Sequence, residues 1–210
     1  MVTKVITENA AGGDFAGESD AFMDEAAPTS SGNAKIETLS SSGASRNRSL
    51  LKFTGLSNIP ANATIVSASL QLYVELVDGD CTPELILALR NWSSPTWNQY
   101  SAGNNWTTAG CSGIFTDRSN VQTAVASVVA ASAGSYVTWS GVQIGSDVSN
   151  WVQNIIPNLG WLLQNTSDTT APGTGAVFGH ALGTDGHRPI LTVNYTVPSV
   201  DQQMTSDLYF

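Results

Sequence analysis

Within Ile65 to Leu76, "IVSASLQLYVEL", the residues from Val66 onward alternate between an apolar and a more polar set. On an extended chain Val66, Ala68, Leu70, Leu72, Val74 and Leu76 share one face. Ser67, Ser69, Gln71, Tyr73 and Glu75 share the other, because strand side chains alternate with a period of two. A helix would spread both sets around its circumference and bury neither. An apolar face backed by a polar one describes a strand half buried in an antiparallel sheet. The next stretch, "DGD" at Asp78 to Asp80, carries hairpin turn chemistry. "ELILALRNW" is then expected to return as the following strand.

Other segments repeat the theme. "RNRSLLKFTGL" reads as a short apolar strand, and "NIPANAT" as a turn with Pro60 fixing φ. "GWLLQN", "GAVFGHAL" and "RPILTVNYTV" read as further strands. "NVQTAVASVVAASAG" stays ambiguous, since Ala and Ser permit a helix while Val favours a strand. One short helix is expected in "SDVSNWVQNIIPN". There Val148, Trp151, Val152 and Ile155 recur at helical spacing, Asp147 is placed to cap it, and Pro157 to end it. Many short strands, Gly/Asn turns and one helix predict an all-β fold, a jelly-roll-like antiparallel β-sandwich. The sandwich is assigned to residues 19–197. Residues 1–18, acidic and rich in Gly and Ala, read as an N-terminal arm, and 198–210 as a C-terminal tail ending in the apolar Leu208, Tyr209 and Phe210.

Composition narrows the function classes. Hydrophobic residues make up 41% of the 210, enough for a full core, while charged residues are only 12%, so the surface must be mostly neutral and polar. With 17 acidic against 8 basic residues the formal charge is −9. Nucleic-acid binding needs a positive footprint, and Arg46, Arg48 and Lys52 are the only close basic trio, so no nucleic-acid partner is expected. No stretch approaches the roughly 18 apolar residues of a membrane span, so no membrane partner is expected either. "MVTKVITENAAGG" lacks the apolar segment of an export signal. Synthesis in a cytoplasm follows if Met1 is the native start; otherwise the chain is a mature fragment with an added Met.

The stretch "TWNQYSAGNNWTTAGC", Thr96 to Cys111, has no strand or helix period. Trp97, Tyr100, Asn104 and Trp106 could bind a glycan, the rings stacking on a sugar face and the amide bonding its hydroxyls. The competing reading is that Trp97 and Trp106 plug the underside of a long loop, leaving Tyr100 the more exposed ring. Trp139, Trp151 and Trp161 fall at core positions. Cys81 and Cys111 bracket Trp92, Trp97 and Trp106. A disulfide between them would close a loop of about thirty residues and contribute roughly 3–4 kcal/mol, and the alternative is two free thiols.

Reaction chemistry finds no motif. His180 and His187 flank the turn "ALGTDG", and either role as metal ligand or general base would need partners from elsewhere. No nucleophile elbow, zinc-helix or phosphate-loop pattern occurs, and no two carboxylates are nominated as a glycosidase pair. The chain is therefore expected not to be an enzyme and to need no cofactor. Calcium is the one metal considered, at Asp78 and Asp80 or at Asp20, Asp24 and Glu25, whose hard oxygens suit it.

In order along the chain, "DAFMDEAAPTSSG", "RSLLKF", "LSNIPANATIVSASLQLYV", "PTWNQYSAGNNWTTAGC", "DVSNWVQ", "GWLLQN" and "RPILTVNY" resemble the DNRLRE-type domain, a β-sandwich grouped also with a carbohydrate-binding module family (CBM96-like). The resemblance spans about residues 20–196. It departs at Gly179-His180-Ala181-Leu182, where the family commonly carries a Ser/Glu pair. It implies a non-catalytic jelly roll, found on secreted glycan-active enzymes and surface proteins and also in bacteriophage virion proteins. Two expectations follow. The first is a virion structural protein, a phage capsid decoration (cement) or fibre-type subunit, oligomeric, whose arms bury against capsid or sister subunits. The second is an extracellular polysaccharide-binding module.

Overall fold

The computed structural model describes residues 1–6, 17–32, 35–39, 45–166, 168–169, 173–182 and 187–198. Its strands in chain order are β1 (Val2–Ile6), β2 (Glu18–Asp24), β3 (Ile36–Leu39), β4 (Asn47–Phe53), β5 (Thr64–Asp78), β6 (Pro83–Ala88), β7 (Gln99–Ser101), β8 (Asn104–Asn105), β9 (Arg118–Val125) and β10 (Tyr136–Ser140). Among the described residues a single α-helix, α1 (Val142–Val152), precedes β11 (Trp161–Asn165), β12 (Gly175–Phe178) and β13 (Ile190–Thr196). Every strand pair is antiparallel. The result is the expected all-β sandwich with one helix.

The alternating stretch forms β5, whose two halves serve different layers. Thr64 to Tyr73 pairs with β13 and β10, and β13 in turn pairs with β1, giving one sheet. Val74 to Asp78 pairs with β12, which opens the second sheet through β3, β4, β11, β6 and β9, with β2 also on β4. β5 therefore crosses from one layer to the other. β6 follows it in sequence but pairs with β11 and β9. The expected hairpin at Asp78–Asp80 is thus a connection between two strands of the second sheet that are not neighbours.

The inward face of β5 is shorter than the sequence alternation. Ala68, Leu70, Leu72 and Val74 are buried, whereas Val66 and Leu76 are each 57% exposed. A register shift accompanies each end: Tyr195 pairs with Ile65 after Asn194 pairs with Ser67, and Phe178 pairs with Val74 after Val177 pairs with Leu76. One extra residue in a ladder exchanges the faces beyond it. Ile65 and Val77 consequently take up the packing that Val66 and Leu76 were expected to supply.

The main core lies between the sheets and is filled by Trp139, Trp161, Phe53, Phe178, Leu70 and Leu72, all fully buried. Helix α1 closes it with Ile144, Val148, Trp151 and Val152. The helix starts at Val142, so Asp147 sits inside it and is buried, not at its N-cap as expected. The Asp147 carboxylate accepts hydrogen bonds from Thr123 Oγ1 (2.7 Å), Trp161 Nε1 (2.8 Å) and Gln143 Nε2 (3.0 Å), tying helix to sheet. The helix ends at Val152, before Pro157, and Ile155 faces solvent. The ambiguous "NVQTAVASVVAASAG" supplies most of β9 and a short 3-10 turn at Ala130–Ser132.

The expected arm also changes. Val2 to Ile6 pair with Tyr195 to Leu191, and Ile6 is wholly buried, so β1 belongs to the sandwich. The rest of that segment up to residue 16 lies outside the described residues, as does the tail from 199 with Leu208, Tyr209 and Phe210.

Candidate functional site

The second sheet is covered on both faces. β4 and β11 are buried along nearly their whole length, which is why they carry adjacent apolar residues, Leu50–Leu51 and Trp161–Leu162–Leu163, in place of a strict alternation. On the face away from the main core, Leu50, Ile86, Leu162, Met23 and Ala88 meet Trp92, Trp97, Trp106 and Cys111. The long excursion between β6 and β9 therefore folds back as a lid with its own apolar underside.

Buried polar groups fasten that lid. Asp117 is 0% exposed, and its carboxylate accepts the backbone N–H groups of Thr107, Thr108 and Gly113 at 3.0–3.1 Å and Arg90 Nε at 3.2 Å. Burial pushes this carboxyl upward, but the Thr108 and Thr107 amides, Arg90 and the Gly113 amide outweigh it and hold it below its ordinary value. Arg48, also buried, donates to Asp168 Oδ2 (2.7 Å from Nε) and to Ser112 Oγ (2.7 Å). The Arg46 and Arg48 guanidinium carbons both stand 5.2 Å from the Trp97 ring centroid. Gly110 packs against the same indole at φ +72, where a Cβ would approach the ring to 2.7 Å.

This geometry resolves the role of the rings. Trp97 and Trp106 are 4% and 5% exposed, and Trp106 Nε1 donates to Thr96 O at 3.0 Å. They are plugs. Tyr100 is half-buried, tilted against Trp106 at 5.6 Å with Arg90 over its ring. Asn104 is exposed and bonds Ser101 Oγ and Ala102 O. A polar cleft of about 340 Å³ does open here, lined by Thr29, Thr96, Asn98, Gln99, Asn105 and Trp106. Of the four expected glycan contacts only Trp106 reaches it.

The two cysteines are not joined. Cys81 lies in the main core, paired through its backbone with Val128, while Cys111 lies in the outer cluster across the sheet, its Sγ 3.4 Å from Asp117 O. The sheet between the two clusters keeps the expected bridge from forming. Burial, then the Asp80 charge, pushes the Cys81 thiol up to about 11, and burial pushes Cys111 higher still.

The histidines belong to separate settings. His187 stacks on Tyr73 at 3.7 Å with its Nδ1 3.6 Å from Glu75 Oε1. His180 stands near Asp20, whose Oδ2 accepts the Ala181 N–H at 2.6 Å. Burial raises the Asp20 carboxyl to about 6 against the pull of that N–H and of His180.

Several of the carboxylates considered for calcium already have partners within the protein. Asp24 accepts the Ala26 N–H, Glu25 accepts from Arg46 Nε, Nη2 and backbone N–H, and Asp80 accepts the Ala130 N–H. The Arg46 hydrogen bond lowers the Glu25 carboxyl from its ordinary value. Among the described residues no three His, Cys, Asp or Glu side chains gather in a metal-holding group.

A different surface was not nominated by the sequence. Ile114 and Phe115 are 50% and 71% exposed on the turn entering β9. Phe115 holds φ +63, which costs a non-glycine residue about 1–2 kcal/mol. The turn is pinned from within: Phe115 N–H donates to Arg118 O (2.8 Å), Asp117 N–H to Gly113 O (2.7 Å), and the Gly113 N–H to the Asp117 carboxylate. Val121 and Val125 are exposed along β9, which ends the strand order of its sheet. Two apolar residues in a short turn give no periodic signal, so only the fold reveals them.

No protein-family model matches the chain, and no curated protein matches it. The DNRLRE-type resemblance rests on the motifs quoted above.

Proposed function

We propose that this chain is a non-enzymatic structural subunit, a capsid decoration or fibre-type protein of a virion, which self-associates and docks through the Ile114–Phe115 turn and the β9 edge. One observation carries the reading: an exposed apolar pair held rigidly on a strained backbone. Strain of this kind persists only where surrounding structure enforces it, and it clusters at working surfaces. Copies of a chain with net charge −9 repel one another, so apolar contact must supply the attraction, and added salt should strengthen it by screening. Bound subunits stabilise a shell by mass action. The test is pelleting with shells stripped of decoration protein. Wild type should sediment with them and Ile114→Asp should stay in solution; wild type left in the supernatant would sink the reading.

A second reading, an extracellular polysaccharide-binding module, is favoured by the cleft beside Trp106. Its Asn98, Gln99 and Asn105 amides suit sugar hydroxyls. Affinity gels distinguish it: retardation lost in Asn105→Ala supports glycan binding, and unretarded wild type opposes it.

A further inference from the structure

The exposed tip and an apolar cleft share one end of the second sheet. Arg118 on β9 pairs with Ala88 on β6, and Trp161 on β11 pairs with Leu87 on β6 and Leu51 on β4. All these strands are antiparallel, so the turn before Arg118, the residues before Trp161 and those after Leu51 and Ala88 run past the same end. At the β9 corner stand Ile114 and Phe115, with the exposed Leu89 beside them donating its N–H to Asp117 O at 2.8 Å. At the β4 corner the 3-10 turn Thr54–Asn58 and the end of α1 enclose a cleft of about 650 Å³. The buried Leu56, Trp151 and Val152 line it together with the more accessible Ile156 and Pro157, and Lys52 is its only ionisable group. In the order β9–β6–β11–β4 the corners lie three strand spacings apart, about 14 Å.

Charge distinguishes this end from the rest of an acidic chain. Segments 51–64 and 85–166, which contain both corners, carry only Asp117 and Asp147 as carboxylates, and both are buried. Glu18, paired with Phe53 at the same end, is buried as well. Two copies of net charge −9 therefore repel least when they approach through this end. We propose that in a self-associated pair the Ile114–Phe115 tip of each copy seats in the cleft of the other across a two-fold axis. The contact rests on the assembly reading above and names the surface that receives the tip. A knob and a hole at one end of the same molecule meet twice under a single two-fold rotation, which closes the pair. The tip is fixed before contact by its internal hydrogen bonds, so docking orders little chain. The cleft volume falls in the range that holds a compact ligand, room enough for two apolar side chains.

Sedimentation velocity of Ser57→Trp tests the contact, because Ser57 is exposed and lines the cleft. Filling the cleft should weaken association more than about tenfold, as loss of a central apolar anchor does. A second measurement traps the contact. Ser57→Cys/Thr116→Cys puts one thiol in the cleft and one beside the tip, both at exposed positions, while Cys81 and Cys111 are buried. Oxidised with diamide, this variant should give a dimer with two cross-links and nothing larger. Ser57→Trp associating as an associating wild type does, or thiols that stay unlinked in an associating double variant, would overturn the contact and leave the assembly reading in place. A ladder of larger multimers would show a head-to-tail contact and overturn the two-fold pairing. A wild type that never associates would remove both.

Discussion

Arg48 Nη2 and Asp168 Oδ2 meet at 2.5 Å with both side chains buried, joining β4 to a residue far along the chain. Both charges are largely withdrawn from water, so removing one leaves the other without its partner. Arg48→Met should destabilise the fold by about 3–5 kcal/mol in denaturant titrations, and the double variant Arg48→Met/Asp168→Leu should recover much of that loss. Equal losses in the single and double variants would show that the pair is not coupled.

Asp117 ties down the lid above the second sheet through three backbone amides and Arg90. In Asp117→Asn one acceptor oxygen becomes a donor facing donors, and a loss of about 2–4 kcal/mol follows. Its carboxyl is held below the ordinary value in the folded state. Its contribution is therefore complete above the unfolded carboxyl's pKa and fades as pH falls through the folded one. Thermal melts of wild type and variant should converge in acid.

Asp20 behaves in the opposite sense. The folded carboxyl keeps its proton up to about pH 6, the unfolded one only to about 3.8. The group's favourable contribution is full below 3.8 and lost as pH rises through 6. Asp20→Asn retains an acceptor for the Ala181 N–H and removes the buried charge. It should stabilise the protein by about 1–3 kcal/mol at neutral pH and by nothing at pH well below 4. A variant less stable than wild type at neutral pH contradicts this account.

Cys81 and Cys111 are buried, protonated and on opposite sides of a sheet. A thiol reagent should label neither in native protein and both after denaturation, and reductant should leave the melting temperature unchanged. An intact mass two hydrogens short would show the bridge instead.

How far the sequence carries the fold is visible along β5. Alternation located this strand and its inward Leu70 and Leu72. It did not show where the alternation stops being in phase, because bulges depend on the partner strands β13 and β12. Leu72→Ala should consequently cost about 2–5 kcal/mol, while Leu76→Thr should fall within about 0.5 kcal/mol of wild type. The helix was readable from Val148, Trp151 and Val152, but its start was not, since Asp147 resembles a cap and is held inside by Thr123 and Trp161. The rings of Trp97 and Trp106 were readable as plugs. The cleft of Lys52 and Trp151 was not, because it joins residues from β4 and α1 that no spacing connects.

Phe115 offers the most direct measurement of the assembly role. Glycine accepts φ +63 without strain, so Phe115→Gly should leave the fold as stable as before or slightly more so while deleting the apolar tip. Sedimentation velocity over a wide range of concentration and salt compares the two proteins. The account predicts that wild type associates, more strongly at higher ionic strength, and that Phe115→Gly sediments as a well-folded monomer. A wild type that remains monomeric throughout, or a glycine variant that associates as wild type does, would contradict it.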